Sequence, residues 1–540
     1  MKNIYLRNCL LVFCLLQLAG PANSQPAGNS DSKRLSADFY KGRRDALRQM
    51  MPANSVFVLF ASPERTFSAD VDYVYHQNPD LFYFSGYLEP NSMMYVFKEP
   101  QSVNGISYPV NEVLFTPDDN PAAATFTGEK MGAGEAMKEL GVQLAIETSK
   151  FATFPVDLSS FKMIITDRVP EDVRNDNSPS DLSALIKEFR KKTAFEDQSG
   201  YLSVMLTNYV AELKGDKQQK EFIQQVKSYI SMQPDNVSLD PILTRYFDSP
   251  DSISRAQIQD SILNKRINHF YFNRCTSALR QIKTDEEIAA IKEAIDITCT
   301  GHREVMKATT PEMSEREIQA IHEFMYKLNG AGEIGFPLIV ASGNNGCTLH
   351  YQDNDAPKVG NNLVLMDVGA MVKGYSADVT RTIPANGKFS PEQLAIYNIV
   401  LEAQDSAFSY CKQGMPFSKL DEAGKKVIAE GLTRLGIIGD VTGVRTYYPH
   451  GISHSIGLDV HDKSNYKTPL INDMIVTLEP GIYIPVGSAC DKQWWGIAVR
   501  IEDDVLIRNN NPVNLSLGAP RQAADIEKLM KETSPFNEFR

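Results

Sequence analysis

Cysteine is scarce in this sequence, with 7 residues among 540, two of them within the first 24 positions. The others lie far apart and show no CxxC spacing, at Cys275, Cys299, Cys347, Cys411 and Cys490. This number and spacing exclude a zinc knuckle and a disulfide framework of the kind that stabilises small secreted domains. We expect free, buried thiols, which behave as small apolar residues.

Positive charge is also in deficit, because 55 Lys and Arg face 67 Asp and Glu, a net charge of -12. Nucleic acid is therefore excluded as the main partner, since phosphate binding needs a surplus of Lys and Arg. Beyond the N-terminal segment, no stretch approaches the run of about 18 apolar residues that a membrane span needs. The length exceeds what one hydrophobic core holds and indicates two or three domains.

The first 24 residues have the pattern of a signal peptide. Lys2 and Arg7 give a positive start, residues 10–18 form a short apolar run, and residues 22–24 are small. Such a run is too short to cross a bilayer and is typical of a cleaved secretory leader, although a buried N-terminal helix is the alternative. We therefore predict a signal peptide at 1–24 and an exported protein, periplasmic or secreted.

Two domains are predicted after this segment. Residues 25–275 mix strands and helices, with short apolar runs at 55–61, 81–84 and 93–97 as strand candidates, and residues 170–270 read as a helical elaboration. Residues 276–540 alternate helices with strand pairs. Three helix starts in this part have a capping residue followed by Glu or Gln three positions later: Thr284 with Glu287, Ser314 with Glu317, and Ser390 with Gln393.

A pair of aspartates marks a hairpin in the second domain. Residues 362–382 read as two strands around Gly374, and a turn centred on Val372 and Lys373 would place Asp367 directly opposite Asp378. Opposed side chains share one face of the sheet with Cβ atoms about 5 Å apart. Two carboxylates so close stay ionised only around a cation; otherwise one of them binds a proton.

Histidine is rare as well, with 8 residues in the chain, yet His450, His454 and His461 fall within twelve positions. Gly451 and Gly457 in the same stretch indicate close backbone approach. A cluster of this kind points to metal binding or proton transfer more often than a lone histidine does.

Further carboxylates end or follow apolar strands. Glu479 closes one such run before a turn, and Arg500 and Glu502 lie two apart and hence on one strand face. Glu479 and Glu502 form an oxygen-rich set with the two aspartates and one imidazole. The four negative charges of its carboxylates balance the charge of two divalent cations. Such ligands suit Mn²⁺, Co²⁺ or Zn²⁺, and two metals about 3.5–4 Å apart activate water for attack on an amide.

The order of these motifs resembles the pita-bread metallopeptidases, and most closely the Xaa-Pro aminopeptidases. The resemblance covers essentially all of 275–530 and also reaches the first domain. It is carried by residues 346–351, 367–369 and 376–382, 450–461, 479–483 and 499–504, and by 68–70 and 75–90. It implies an α/β (α+β) fold: a pita-bread catalytic domain after a smaller mixed α/β domain.

The resemblance also implies residue roles. Asp378 and Glu502 would bridge two metals, Asp367 would bind one of them, and His454 with Glu479 the other. Arg500 would orient Asp367. Around the substrate the family places histidines matching His350, His450 and His461, which aid catalysis. An aspartate matching Asp70 would lie near the substrate's amino end, within the chain or across a subunit contact; the alternative is that Asp70 only caps a turn after Ser68.

The implied activity is hydrolysis of the bond between an N-terminal residue and a following proline, with Mn²⁺ as the expected metal. Peptides with proline at position 2 would be the partners, and a homodimer or homotetramer the assembly. A prolidase, which cleaves Xaa-Pro dipeptides, is the alternative, and a non-catalytic peptide-binding module is a remote one. The chain departs from the family at Ser455, where a larger residue is usual, and in its long 170–270 segment.

Overall fold

A computed structural model describes residues 33–103, 105–175, 178–195, 200–232 and 239–539. The predicted signal peptide at 1–24 lies outside these residues. The first part of the chain contains α1 Ala37–Met50, β1 Ser55–Phe60, β2 Thr66–Ser68, β3 Val71–Asp72, α2 Pro79–Ser85, β4 Met93–Gln101, β5 Val110–Thr116, α3 Pro121–Thr127, α4 Ala133–Leu140, β6 Ala145–Glu147 and β7 Met163–Thr166.

Helices follow this part: α5 Leu182–Thr193, α6 Tyr201–Glu212, α7 Asp216–Met232, α8 Pro241–Phe247 and α9 Ser252–Leu263, then the short strand β8 Ile267–Asn268 and α10 His269–Arg280. Helices α6 to α9 share a small apolar core of their own around Val210, Leu243 and Tyr246. Strand β8 returns to the first part, because it pairs in parallel with β7.

The N-terminal sheet has the order β6-β5-β4-β1-β7-β8. Every residue of β1 is buried, as expected of a strand with both faces covered. Phe57 and Leu59 point into a core that continues into the second domain, whereas Val56 and Val58 point into a separate core. The face of this sheet that carries Phe57 and Leu59 is therefore the face on which the first domain packs against the second.

The second domain contains α11 Asp285–Ala308, α12 Glu315–Leu328, β9 Glu333–Ile334, β10 Ile339–Ser342, β11 Leu363–Val368, β12 Ala370–Val372, β13 Tyr375–Ser376, β14 Val379–Pro384, α13 Pro391–Phe408, α14 Phe417–Arg434, β15 Ile475–Leu478, β16 Gly481–Ile484, β17 Ile497–Arg500, β18 Asp503–Arg508, β19 Asn511–Asn514 and α15 Ala523–Leu529. Its strands form the groups β10-β11-β14, β13-β12-β9, β15-β18-β19 and β16-β17. All three predicted capping boxes are confirmed, at the starts of α11, α12 and α13.

The strand predicted at 81–84 is wrong, because these residues belong to helix α2. Asn78 caps that helix by accepting hydrogen bonds from two backbone amides, and Pro79 occupies its first turn. Gly86 ends it in the left-handed conformation. The local start and stop signals therefore outweigh the apolar run between them.

The predicted hairpin register is also wrong. The turn is centred on Lys373 and Gly374, both with positive φ, as a type I′ turn requires. Asp367 consequently pairs with Thr380 rather than with Asp378. Because Asp378 lies two residues before Thr380, it still shares the face of Asp367, as its diagonal neighbour.

The five cysteines beyond the N-terminal segment are free, and Cys275, Cys299 and Cys411 are buried as expected. Cys347 and Cys490 are only partly buried. In the part of the chain that the structure describes, no helix is long and apolar enough to span a membrane.

Candidate metal centre

Two aspartates form one wall of the site. Asp367 is the last residue but one of β11, and Asp378 directly precedes β14. Arg500 donates a hydrogen bond from Nη2 to Asp367 Oδ2 at 2.6 Å. The second oxygen of each aspartate, Oδ1, is buried and has no hydrogen-bond partner among the described residues. Buried unpartnered carboxylate oxygens are rare and indicate a missing ligand, such as a cation.

His454 faces this wall from the opposite side. Its Nε2 lies 3.4 Å from Asp378 Oδ2, 3.5 Å from Glu479 Oε1 and 3.9 Å from Glu502 Oε1. The backbone of His454 is held beside β15, since Thr477 N–H donates to the His454 carbonyl at 2.8 Å. The imidazole therefore has a fixed position at the centre of three carboxylates.

Glu502 and Glu479 follow strand ends. Glu502 donates its backbone N–H to the Thr380 carbonyl at 3.0 Å, and Thr380 Oγ1 donates to Glu502 Oε2 at 2.6 Å. Glu479 donates its backbone N–H to the Ile452 carbonyl at 2.8 Å. Ligand atoms of Asp378, His454 and Glu502 all lie within 4.8 Å of one another, close enough to share one ion.

The electrostatics of this cluster fit cations. Burial raises the pKa of Asp378 and Glu502 well above the usual range, and repulsion from neighbouring carboxylates adds to it. Burial likewise raises the pKa of Glu479, against the opposing charges of His454 and Arg500. Carboxylates packed in this way ionise together only with positive charge between them.

Asp504 is a fifth carboxylate, fully buried beside the cluster, which the sequence prediction did not include. Its Oδ2 accepts the backbone N–H of Asp378 at 3.1 Å, and burial raises its pKa to about 8. The acidic run after Arg500 was the only signal for it. Since Asp504 contacts the backbone rather than the ligand oxygens, it fixes where Asp378 lies.

Tyr483 connects two predicted residues and was also missed. Arg500 donates from Nη1 to the Tyr483 hydroxyl oxygen at 2.9 Å. His450 Nδ1 lies 2.7 Å from the Gly451 carbonyl and therefore donates, which leaves Nε2 to accept from the Tyr483 hydroxyl at 2.8 Å. Burial, with the charge of Arg500, lowers the pKa of His450 to about 4, so this ring is neutral at pH 7.

His461 and His350 lie at the exposed edge of the site. The rings of His461 and His454 have centroids 4.2 Å apart. Partial burial, followed by the neighbouring His454 and His350, lowers the pKa of His461 to about 4. Both edge histidines are exposed and thus accessible to a substrate.

Asp70 does not join this group within one chain. It lies at the exposed turn of the β2–β3 hairpin, and among the described residues no hydrogen bond or ion pair joins it to the carboxylates. Its predicted contact with substrate stays a prediction.

Comparison with known proteins agrees with this geometry. Residues 289–509 match the family described as Metallopeptidase family M24, and residues 40–162 match the aminopeptidase P N-terminal domain. The Xaa-Pro aminopeptidase of Escherichia coli (strain K12) is 28% identical over 507 residues, which are 92% of this chain and 98% of that protein. Intermediate cleaving peptidase 55 of Schizosaccharomyces pombe is 30% identical, over 92% of this chain and 88% of its own.

Solved structures agree as well. Aminopeptidase PepP of Pseudomonas aeruginosa superposes with a TM-score of 0.71 at 27% identity, covering 92% of this chain and 98% of that one. Aminopeptidase P of E. coli with the inhibitor Pro-Leu gives 0.70 at 27% identity over the same shares. These matches confirm the expected pita-bread catalytic domain and its smaller mixed α/β partner. The chain therefore belongs to metallopeptidase family M24, among the metallo-aminopeptidases of the aminopeptidase P type.

Proposed function

We propose that this protein removes the first residue from peptides whose second residue is proline, using two divalent metal ions. The observation that carries the proposal is the cluster of His454 with the carboxylates of Asp367, Asp378, Glu479 and Glu502, in which two buried aspartate oxygens have no described partner. The naming of similar proteins as Xaa-Pro aminopeptidases supports the choice of substrate.

In this proposal Asp378 and Glu502 would help to hold both ions, Asp367 would hold one, and His454 with Glu479 would hold the other. Four negative charges then balance two divalent cations. The mixture of carboxylates with one imidazole suits Mn²⁺, which we propose as the metal, with Co²⁺ and Zn²⁺ as alternatives. Bound there, the ions would polarise the scissile carbonyl and lower the pKa of water.

In this proposal His350, His450 and His461 contact or orient the substrate. His461 lies beside His454, His350 lies near His461, and both are exposed, so in this proposal they would donate hydrogen bonds to the bound peptide. His461 and His450 stay neutral at pH 7 because their pKa values lie near 4. A neutral ring offers one donor and one acceptor, which suits positioning a carbonyl without adding charge beside the cations.

Proline at the second position gives a tertiary amide with no N–H. Peptidases that hold an extended backbone through that donor bind such a bond poorly. We propose that this site instead anchors the free amine of the first residue, and that Asp70 provides one carboxylate for it from a second copy of the chain. The exposed apolar side chains of the same hairpin, Phe67 and Tyr73, support burial of this hairpin in a homodimer or homotetramer.

Export to the periplasm or outside the cell is part of the proposal and depends on the leader at 1–24. Sequencing the mature N-terminus tests it: we expect a start near Gln25, and an intact Met1 on cytoplasmic protein would contradict it.

A direct test of activity compares an Xaa-Pro dipeptide, a longer Xaa-Pro peptide and the same longer peptide with proline replaced by alanine, with products read by mass spectrometry. We expect cleavage of the longer peptide after its first residue and loss of most of the rate with alanine. Hydrolysis of the dipeptide alone would show a prolidase, which no described contact favours.

A further inference from the structure

A largely buried group of ion pairs lies where the first domain meets the loop 454–461; the side chains of Asp459 and Lys463 in it are partly exposed, at 41% and 24%. We call it the interdomain ion cluster, and its members are Asp80, Arg280, Lys283, Asp459, Asp462 and Lys463. Arg280 donates to Asp80 at 2.8 Å, to Asp459 at 2.6 Å and to Asp462. With three cations and three carboxylates, the cluster is neutral.

The cluster joins three separate parts of the chain. Asp80 lies on α2 of the first domain, Arg280 is the last residue of α10, and Asp462 directly follows His461. Arg280 is 1% exposed, and the Asp462 side chain is 2% exposed. Burial alone would raise the pKa of Asp80, but Lys463 and Arg280 outweigh it and hold that pKa below its usual value.

Its contacts lie next to both histidines of the loop 454–461. Lys283 donates to Asp462 Oδ2 at 3.1 Å and to Ser455 Oγ at 3.3 Å, so each contact is one residue away from His454 or His461. The loop is closed by the Asp462 N–H, which donates to the Ser455 carbonyl at 2.8 Å. A small residue at 455 leaves room for the Lys283 ammonium.

The loop is also shaped around the Asp462 carboxylate. A Cβ at Gly457 would lie 2.1 Å from Asp462 Oδ2, so only glycine fits there. Ser376 donates its backbone N–H to the Gly457 carbonyl at 2.8 Å, which ties the same loop to the hairpin that carries Asp378. The carboxylate therefore defines the path of the chain between the two histidines.

Stability alone does not account for such a cluster. Removing several charges from water is unfavourable, and apolar side chains of similar volume often give equal or greater stability. What a paired cluster provides is one defined arrangement of the chain attached to it, and here that chain includes Ser455 and Asp462, the neighbours of the proposed ligand His454 and of His461.

We propose that the first domain positions the metal ligand His454 and the substrate-facing His461 through Asp80 and Arg280, which act as positioning residues of the reaction. The domain is then part of the catalytic apparatus of its own chain. Residues that orient metal ligands typically change metal affinity or activity by about 10- to 100-fold when replaced.

The proposal rests on the proposed metal site. It is tested with Asp80→Asn in the full-length protein, for which the chain offers a matched control, Glu112→Gln. Glu112 is likewise a buried carboxylate that pairs with one fully buried arginine, Arg44, and one partly exposed cation, Arg48. It lies within the first domain, on β5.

Metal affinity is measured by titrating Mn²⁺ into protein from which metal has been removed with a chelator. The kinetic constants kcat and KM are measured at saturating Mn²⁺, at a temperature below the melting temperature of the least stable variant. We expect Asp80→Asn to weaken metal binding about 10-fold or more and to lower kcat with KM little changed. Arg280→Lys keeps the positive charge but loses the planar guanidinium, so it should lower metal affinity and kcat less than Asp80→Asn does. Glu112→Gln should change neither metal affinity nor kcat by more than about twofold.

Equal effects of Asp80→Asn and Glu112→Gln on the two quantities, or no effect of either beyond melting temperature, would overturn the proposal. If Asp80→Asn does not fold, Lys463→Gln, which removes only the partly exposed cation, replaces it with the same two readouts. Absence of metal binding by the unaltered protein would refute the proposed metal site instead, so the two failures are distinguishable.

Discussion

Arg500 Nη2 lies 2.6 Å from Asp367 Oδ2, and the other nitrogen of the same guanidinium, Nη1, lies 2.9 Å from the Tyr483 hydroxyl. The contact with Tyr483 is buried, and the contact with Asp367 is partly buried. One rigid fork therefore orients a proposed metal ligand and, through the tyrosine, His450.

Replacing the Arg500 guanidinium should lower kcat more than it lowers the stability of the fold. Arg500→Lys keeps a positive charge but cannot reach both partners, so we expect kcat to fall about 10- to 100-fold. Arg508→Lys is the control, since Arg508 is partly exposed and pairs with Asp285 and Asp473 outside the site. Steady-state kinetics of both variants decide the matter; similar rates for the two would contradict the assigned role of Arg500.

The sequence predicted which residues lie together at the site better than it predicted the strand register that places them. The carboxylates, His454 and Arg500 belong to short motifs whose side chains are readable one by one. The hairpin register depended on which residue takes the second turn position. Gly374 suits it because φ there is positive and because a Cβ would also lie 2.9 Å from Phe82 of the other domain. A contact of this kind is not visible in the local sequence.

Residues that act through distant partners were missed for the same reason. Tyr483 and Asp504 lie inside motifs, but nothing in those motifs shows which atoms they contact. Asp80 meets Arg280 across 200 positions of sequence. Helix α2, which carries Asp80, was itself mistaken for a strand because its apolar residues run consecutively, although Asn78, Pro79 and Gly86 were readable as helix signals.

Loss of the imidazole ligand should abolish turnover. We expect His454→Gln to lower kcat at least about 100-fold, because it removes a proposed metal ligand that lies between three carboxylates. The control is His322→Gln, a histidine buried on α12 whose ring nitrogens have no described hydrogen-bond partner and whose pKa burial lowers to about 3. Comparable losses of kcat per folded molecule in both variants would show that the histidine roles are assigned wrongly.

Metal should stabilise the protein more at high pH than at low pH. Burial raises the pKa of Asp378, Glu479 and Glu502, and that of Asp504 to about 8, whereas unfolded carboxyls titrate near about 4. Without metal, the folded state therefore loses stability as pH rises from about 4 through about 8, since the unfolded state gives up its protons first. Bound cations stabilise the ionised form of these carboxylates and so oppose the loss of stability as pH rises.

The measurement is the melting temperature of metal-free and Mn²⁺-saturated protein at pH 5.5 and pH 8. We expect the increase caused by metal to be larger at pH 8. Glu502→Gln removes one of the buried carboxyls and should reduce the difference between the two pH values. An equal increase at both pH values in the unaltered protein would contradict the electrostatic account of the site.

The last prediction concerns the amine anchor. An aminopeptidase needs a carboxylate near the substrate ammonium, and Asp70, exposed on its hairpin, reaches no ligand residue of its own chain through a described hydrogen bond or ion pair. We expect Asp70→Asn to raise KM about 10-fold for a free peptide, the effect of losing one charged hydrogen bond. Asp172→Asn, an exposed aspartate that pairs with Arg65 near the same hairpin, should leave KM unchanged.

Mixing separates the two possible locations of this anchor. Subunits with Asp70→Asn keep their metal ligands, and subunits with His454→Gln keep Asp70, so each is deficient alone. If Asp70 serves the site of a neighbouring copy, mixed oligomers contain some sites with both intact, and the low-KM activity returns on mixing. If Asp70 serves the site of its own chain, mixing does not restore the low-KM activity. Native mass spectrometry of the mixture must show that the subunits have exchanged; absence of recovery in an exchanged mixture would then contradict an anchor that acts between copies.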